Sequence, residues 1–153
     1  METLDETDIK ILRILQENSH LTTKELASKV HLSTTPVFER LKRMEQEGVI
    51  KKYVALLDAA KLNRGFVVFC NVKLKQLNTQ IAREFTDAIK HIPQVTECYN
   101  ISGEYDYLLK IYAPDMKSYQ EFLINVLGQL DCLSSLQSVF VMDEIKQGYS
   151  IPL

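Results

Sequence analysis

The first 50 residues contain three short amphipathic segments, and their order limits the folds that this chain can adopt. Apolar residues recur at helical spacing in each segment, and residues 4–16 form the first. The second segment holds only about two turns before the link at residues 31–33, and the third is longer. Two short helices, a tight link and a longer helix are typical of a helix-turn-helix. The predicted inward residues are Leu4, Ile11, Leu12, Leu15, Leu26, Ala27, Val30, Val37, Leu41 and Met44.

Capping residues mark where each predicted helix begins. Asp5 can cap the first helix, and Ser33 is a suitable N-cap for the third. Thr22 and Glu25 have the spacing of a capping box at the start of the second. Gly48 follows the third helix where a C′ glycine would end it. The sequence therefore predicts three separate helices before the β-rich run at residues 49–57, which we interpret as a wing strand or a linker.

The third helix has a polar side that could face DNA. On a wheel of about 100° per residue, this side lies opposite the apolar stripe. The candidate DNA-binding residues are Ser33, Thr34, Thr35, Phe38, Glu39, Lys42, Arg43, Lys51 and Lys52. We expect the lysines and Arg43 to contact phosphates, and Thr35 and Glu39 to reach base edges.

Phe38 and Arg40 need separate interpretations. Phe38 is either a partly buried flank of the helix or a contact for a thymine methyl group. Arg40 flanks the apolar stripe. We therefore expect Arg40 to lie along the core edge and pair with an acid of the first helix rather than read bases.

Charge is distributed unevenly along the chain. The net charge is −2, which by itself argues against a nucleic-acid binder. Residues 29–64, however, carry eight Lys and Arg against four Asp and Glu, whereas the chain from residue 65 carries seven against ten. A basic segment followed by an acidic remainder is compatible with a DNA-binding head on a separate body.

The periodicity changes at Phe66, where alternation replaces the helical stripe. Strands and helices then follow in the order β-α-β-β-α-β, which is a split βαβ, ferredoxin-like layout and makes the whole chain α+β. The predicted elements are a strand at Phe66–Lys75, a helix at Thr79–Ile92, strands at Val95–Ile101 and Tyr107–Tyr112, a helix from Pro114 to Leu130, and a strand at Leu136–Ile145.

Helices on one face of such a sheet leave the other face uncovered. A second copy of the chain is the economical cover for Val67, Phe69 and their neighbours. We predict a helix-turn-helix, winged-helix-like domain at 1–57, a linker at 58–65 and an oligomerisation domain at 66–153.

Several other classes of protein are disfavoured. Three widely spaced cysteines (Cys70, Cys98 and Cys132) do not suggest a disulfide framework. The three histidines form no metal-binding spacing, and no phosphate loop or catalytic motif is present. With neither a signal-peptide core nor an 18-residue apolar run, we expect a cytoplasmic protein and no enzyme, cofactor, metal or membrane contact.

Taken together, these pieces resemble the leucine-responsive regulatory protein/AsnC (Lrp/AsnC, feast–famine) family of transcription regulators, and most of all its leucine-responsive branch. The resemblance covers nearly the whole length. It is carried by Leu4-Asp5, Glu25-Leu26-Ala27, Leu32-Ser33-x-x-Pro36-Val37-x-x-Arg40-Leu41, Met44-Glu45-x-x-Gly48-Val49-Ile50, Ser102-Gly103-Glu104-Tyr105-Asp106-Tyr107-Leu108-Leu109-Lys110 and Val141-Met142-Asp143-Glu144-Ile145-Lys146-Gln147.

The resemblance implies properties that composition cannot show. Such proteins dimerise through the sheet, commonly form octamers as tetramers of dimers, and associate with the nucleoid. They typically bind a small amino acid, leucine or another, where dimers meet. The resemblance thus makes residues 66–153 an effector-binding domain as well, and the implied effector residues here are Gly103, Glu104, Tyr105, Asp106, Met116 and Ser138. Glu104 departs from the family loop, which usually has Asp after the glycine.

A zwitterionic ligand would need both acceptors and donors at such a site. Asp106 or backbone carbonyls could accept from its ammonium group, and Ser138 could donate to its carboxylate. Gly103 would let backbone amides approach closely. The sequence thus favours an amino-acid-responsive regulator of double-stranded DNA. The alternative is an architectural DNA-wrapping protein without a ligand.

Overall fold

The computed structural model describes residues 3–153 and divides the chain into two compact units. The first unit, here called the head, runs to Leu56 and also includes Lys146–Leu153. The second, the body, is Leu57–Ile145. The predicted body, residues 66–153, includes Lys146–Leu153, whereas the structure groups this segment with the head, where Ile151 and Leu153 hydrogen-bond to side chains of the first helix.

The head contains the three helices predicted from the apolar stripes. They are α1 (Glu6–Glu17), α2 (Thr23–Lys29) and α3 (Thr34–Gln46). Their inward residues form one core, to which Val49 and Ile50 add partly buried side chains. No strand occurs between residues 49 and 57, so this run is a linker and not a wing in this chain. The buried core residues are Ile11, Leu12, Leu26, Ala27, Val37 and Met44.

Two of the three predicted helix starts have complete capping boxes. Asp5 accepts from the backbone of Asp8 at 2.8 Å, and the Asp8 side chain accepts in return. Thr22 and Glu25 form the same reciprocal pair. Ser33 stands at the N-cap of α3 but makes no side-chain cap bond. Satisfied backbone donors explain why short helices begin at these positions.

The body has the predicted ferredoxin-like order, with an antiparallel sheet arranged β2-β3-β1-β4. Val68, Cys70, Val72 and Leu74 alternate into the core shared with the helices. The elements are β1 (Phe66–Leu74), α4 (Thr79–Ile89), β2 (Val95–Asn100), β3 (Tyr107–Ala113), α5 (Met116–Asn125), a 3-10 turn (Leu127–Gln129) and β4 (Leu133–Phe140).

The last strand lies earlier than the sequence pattern predicted. β4 was expected at Leu136–Ile145, but it pairs with β1 from Leu133↔Leu74 to Phe140↔Val68. Beyond Phe140 little of β1 remains to pair with, since β1 begins at Phe66. Met142 and Ile145 are consequently 95% and 87% exposed.

Two helix ends also differ from the prediction. α4 stops at Ile89, and a turn in which Ile92 donates to Ile89 follows it, because Pro93 disfavours helical geometry in the preceding residue. α5 ends at Asn125 and gives way to the 3-10 turn. Neither change alters the order of the elements.

Candidate nucleic-acid interface and effector region

The outward face of α3 carries most of the predicted DNA-binding residues. Their side chains are exposed, whereas Val37 and Met44 on the opposite face are fully buried. Phe38 is 55% exposed, which is compatible with both a partly buried flank and a contact for a thymine methyl group. The exposed candidates on and beside this helix are Ser33, Thr34, Thr35, Phe38, Glu39 and Lys42.

Arg43 does not belong to this outward face. Its Nη2 donates to Oδ2 of Asp8 at 2.5 Å, and its side chain is 29% exposed. The prediction that Arg43 points away from the core is therefore wrong. A long side chain at the edge of the wheel can turn either way, and the buried carboxylate of Asp8 attracts it inward.

Arg40 lies where the sequence predicted, along the core edge. Its Nη1 donates to Oδ1 of Asp8 at 2.8 Å and to Oδ2 of Asp5 at 2.6 Å. Hydrogen bonds to these two carboxylates raise the pKa of Arg40. The pKa of Asp5 is lowered, first by the backbone N–H of Asp8 and then by Arg40. These bonds hold α3 against α1 and leave only its outer face for a partner.

Lys51 and Lys52 lie at the start of the linker and are exposed. Next to them, the Tyr53 hydroxyl donates to Glu45 of α3 at 2.9 Å. Partial burial and this carboxylate raise the pKa of Tyr53 to about 12. The linker start is thus tied to the helix, and the two lysines lie close in the chain to the end of α3.

The loop between β2 and β3 is held to β1 by Asp106. Its Oδ2 accepts from the Leu74 N–H at 2.8 Å, and its own N–H donates to Val72 O at 2.9 Å. Lys73 Nζ donates to the carbonyl of Glu104. Gly103 has φ +120°, a conformation that favours glycine. The predicted loop residues therefore lie together in the structure. One carboxylate oxygen of Asp106, however, already accepts a hydrogen bond from the Leu74 N–H of β1.

Ser138 lies apart from this loop, on the edge strand β4 opposite Cys70. Its Oγ shares a 2.6 Å hydrogen bond with the Tyr119 hydroxyl. Burial raises the pKa of Tyr119 to about 12 and also raises that of the Cys70 thiol. The sequence does not identify Tyr119 as a polar partner, because its spacing along α5 is typical of an apolar core residue.

Met116 lies at the far end of β3 from the loop. Gly103 precedes the seven residues of β3, whereas Met116 follows them at the start of α5. Seven extended residues span roughly 20 Å. Within one chain β3 therefore separates Met116 from Gly103, and a site containing both requires a second copy of the chain.

Asn100 was also missed by the sequence reasoning. Its Nδ2 donates to the Asp106 carbonyl at 2.9 Å, so it braces the loop from the end of β2. Its position directly before the Ile101-Ser102-Gly103 turn was the available signal. Within residues 3–153, no group of three His, Cys, Asp or Glu side chains is placed to hold a metal, and no helix could cross a membrane.

The head is a helix-turn-helix whose third helix has one exposed, polar face, and it is followed by an α+β body. This arrangement is typical of DNA-binding proteins that carry a second domain. Residues 4–51 match the family model described as winged helix-turn-helix DNA-binding. Residues 67–151 match the model described as Lrp/AsnC ligand binding domain.

Proteins of known role are similar over almost the whole chain. The transcriptional regulator AzlB of Bacillus subtilis is 37% identical over 150 residues, which are 98% of this chain and 96% of that protein. The leucine-responsive regulatory protein of Haemophilus influenzae is 38% identical over 146 residues, covering 95% and 88%. The transcriptional regulator NMB0573 of Neisseria meningitidis, solved as an L-Met complex, has 38% identity, covers 98% and 97%, and superposes with a TM-score of 0.93.

The chain belongs to the Lrp/AsnC family of transcription regulators. It is a DNA-binding regulator with a ligand-binding domain, and not an enzyme.

Proposed function

We propose that the outward face of α3, with Lys51 and Lys52, binds operator DNA in a sequence-specific manner. The observation that carries this proposal is the division of α3: one face is locked to α1 through Asp8, and the other is exposed. Lys42 and the linker lysines supply phosphate contacts, and Thr35 and Glu39 read bases. A protein with this role works in the cytoplasm, associated with the nucleoid.

The body supplies the proposed assembly. Val67 and Phe69 on the outer sheet face are only partly buried, and Val139 beside them is 49% exposed. Pairing this face with a second copy would cover these side chains and give a dimer, from which an octamer forms as a tetramer of dimers. Several heads in register would then bind DNA sites one helical turn apart cooperatively.

A small amino acid is the proposed effector. The similarity to NMB0573, solved with L-Met, supports an apolar amino acid such as methionine or leucine. Met116 and the Gly103–Asp106 loop lie at opposite ends of β3, so one site can contain both only where two copies meet. The family effector region, including Glu104, Tyr105 and Ser138, would then lie between dimers. Ligand binding would shift assembly and so DNA affinity.

The test is fluorescence anisotropy with promoter fragments and random DNA at one fixed salt concentration. We expect tighter binding to at least one promoter fragment, and a change in affinity and in light-scattering mass with one amino acid. Equal affinity for every fragment would contradict specific regulation.

One observation favours the architectural alternative. The Ser138 hydroxyl and one Asp106 oxygen are both occupied within the chain, which leaves fewer groups for a ligand in that region. If DNA binding is cooperative but none of the twenty amino acids changes affinity or mass, the architectural function is the correct one.

A further inference from the structure

A groove beside the first turns of α4 is separate from the effector region described above. It has a volume of about 490 Å³, within the range of small-molecule sites. It lies between α4, the loop before it, and the ends of β2 and β3. The residues used below are Leu77, Arg83, Thr86, Asn100 and Tyr107.

Arg83 gives the groove a positive charge, and its influence on the pKa of Asp87 is smaller than that of Lys90 and His91. None of the groove's lining residues is acidic. Asp87, one turn further along α4, forms its ion pair with Lys90 at 2.9 Å. Among residues 3–153, no ion pair includes Arg83. An exposed guanidinium with free donors suits a planar carboxylate, which it can bind with two parallel hydrogen bonds.

Two groups in the groove have an oxygen atom that can accept a further hydrogen bond. Asn100 Nδ2 donates to Asp106 O, which fixes the amide and leaves Oδ1 without a donor among the described residues. The Thr86 hydroxyl donates to Ala82 O at 2.9 Å, so its lone pairs stay available. Acceptors without their own acid favour an ammonium group over a second anion.

Apolar surface completes the groove. Leu77 is 76% exposed although it is a large aliphatic residue. The Tyr107 side chain is held in place by Phe85, with ring centroids 4.7 Å apart. Tyr107 is only 7% exposed, so an aliphatic side chain placed against it would remove mainly Leu77 from water, which is favourable in proportion to the area covered.

We infer that this α4 groove binds a small α-amino acid with an aliphatic side chain. Arg83 holds its carboxylate, and Asn100 and Thr86 hold its ammonium group. The class of ligand rests partly on the proposed amino-acid control, whereas the location rests on the groove alone. Asn100 also contacts Asp106, so an occupied groove is coupled to the loop at the proposed effector region.

Calorimetry on the full-length protein with L-methionine and L-leucine tests the inference. The Arg83→Gln and Thr86→Val variants should each weaken binding by roughly tenfold. L-methionine methyl ester, which lacks the carboxylate, should bind as weakly to the wild type as L-methionine binds to Arg83→Gln. Lys117→Gln, which removes an exposed charge from α5 outside the groove, is the control and should bind like the wild type.

Hydrogen exchange locates the ligand independently of any variant. With saturating L-methionine, we expect slower exchange in peptides covering residues 77–86. Protection confined to residues 102–106 and 138, with Arg83→Gln binding normally, would overturn the groove while leaving the proposed function intact. If neither amino acid binds the wild type, the ligand site in the groove and the proposed control by an amino acid are both wrong. The proposal of specific DNA binding would then be tested separately, by fluorescence anisotropy.

Discussion

Nη2 of Arg43 lies 2.5 Å from Oδ2 of Asp8, a carboxylate that is fully buried between α1 and α3. Arg40 donates to the other oxygen of Asp8 at 2.8 Å. One acidic side chain of α1 therefore receives two arginines of α3. The orientation of α3, the proposed DNA-binding helix, depends on this carboxylate as well as on apolar packing.

Replacing Asp8 should destabilise the head strongly. Asp8→Ala removes the buried carboxylate that Arg40 and Arg43 both contact, and breaking such a buried pair costs about 3–5 kcal/mol. Urea unfolding followed by circular dichroism measures this loss. Glu6→Ala, an exposed acid of the same helix, is the control. A loss as small as that of the control would show that apolar contacts alone orient α3.

The stability of the head should depend on pH because of the lowered pKa of Asp5. The folded protein lowers the Asp5 pKa below its ordinary 3.8, so this contribution is present above that value and is lost as pH falls through the lower, folded pKa. Melting temperatures measured between about pH 5 and pH 2 should fall less in Asp5→Ala than in the wild type. If the melting temperatures of the variant and the wild type fall equally with pH, Asp5 does not cause the pH dependence.

Neutralising Lys42 should weaken DNA binding almost equally for all sequences. Lys42→Gln removes one phosphate contact, so the slope of log affinity against log salt should shrink by about 1. Lys117→Gln, an exposed lysine of α5 in the body, should leave the slope unchanged.

Thr35→Ala should instead change the preference among operator sequences, which competition binding would reveal.

Two substitutions of Asp106, the carboxylate in the loop between β2 and β3, should have different effects on the stability of the protein. Asp106→Asn keeps an oxygen for the Leu74 N–H and should retain most of the stability. Asp106→Ala leaves that N–H without its acceptor and should cost about 1–3 kcal/mol. Thermal unfolding of both variants decides this, and equal melting temperatures would show that the bond to Leu74 contributes little.

The segment Lys146–Leu153 should detach when its side-chain partners on α1 are removed. The Ile151 N–H donates to Oε1 of Gln16 at 2.5 Å, and Arg13 donates to Leu153 O. In Gln16→Ala, hydrogen exchange at Ile151 should accelerate, while Lys10→Ala on the same helix should not change it. Unaltered exchange in Gln16→Ala would mean that other contacts hold the segment.

Local patterns were enough to predict the elements of both units. The stripe through Val37 and Met44, the capping boxes of Asp5 and Thr22, and the alternation along β1 all arise from residues close in sequence. Such signals depend on helix and strand periodicity and on nearby backbone donors, so they survive without knowledge of the rest of the chain. They also gave the element order and hence the α+β fold.

The sequence by itself therefore determined which segments are helices and strands, which faces are apolar, and the family to which the chain belongs. Only the tertiary structure decided that Arg43 turns to Asp8, that β4 ends at Phe140, and that Met116 lies far from Gly103. It also placed Asn100, Arg83 and Thr86 around one groove. These outcomes depend on partners distant in sequence, and a long polar side chain takes the direction in which its charge is best satisfied.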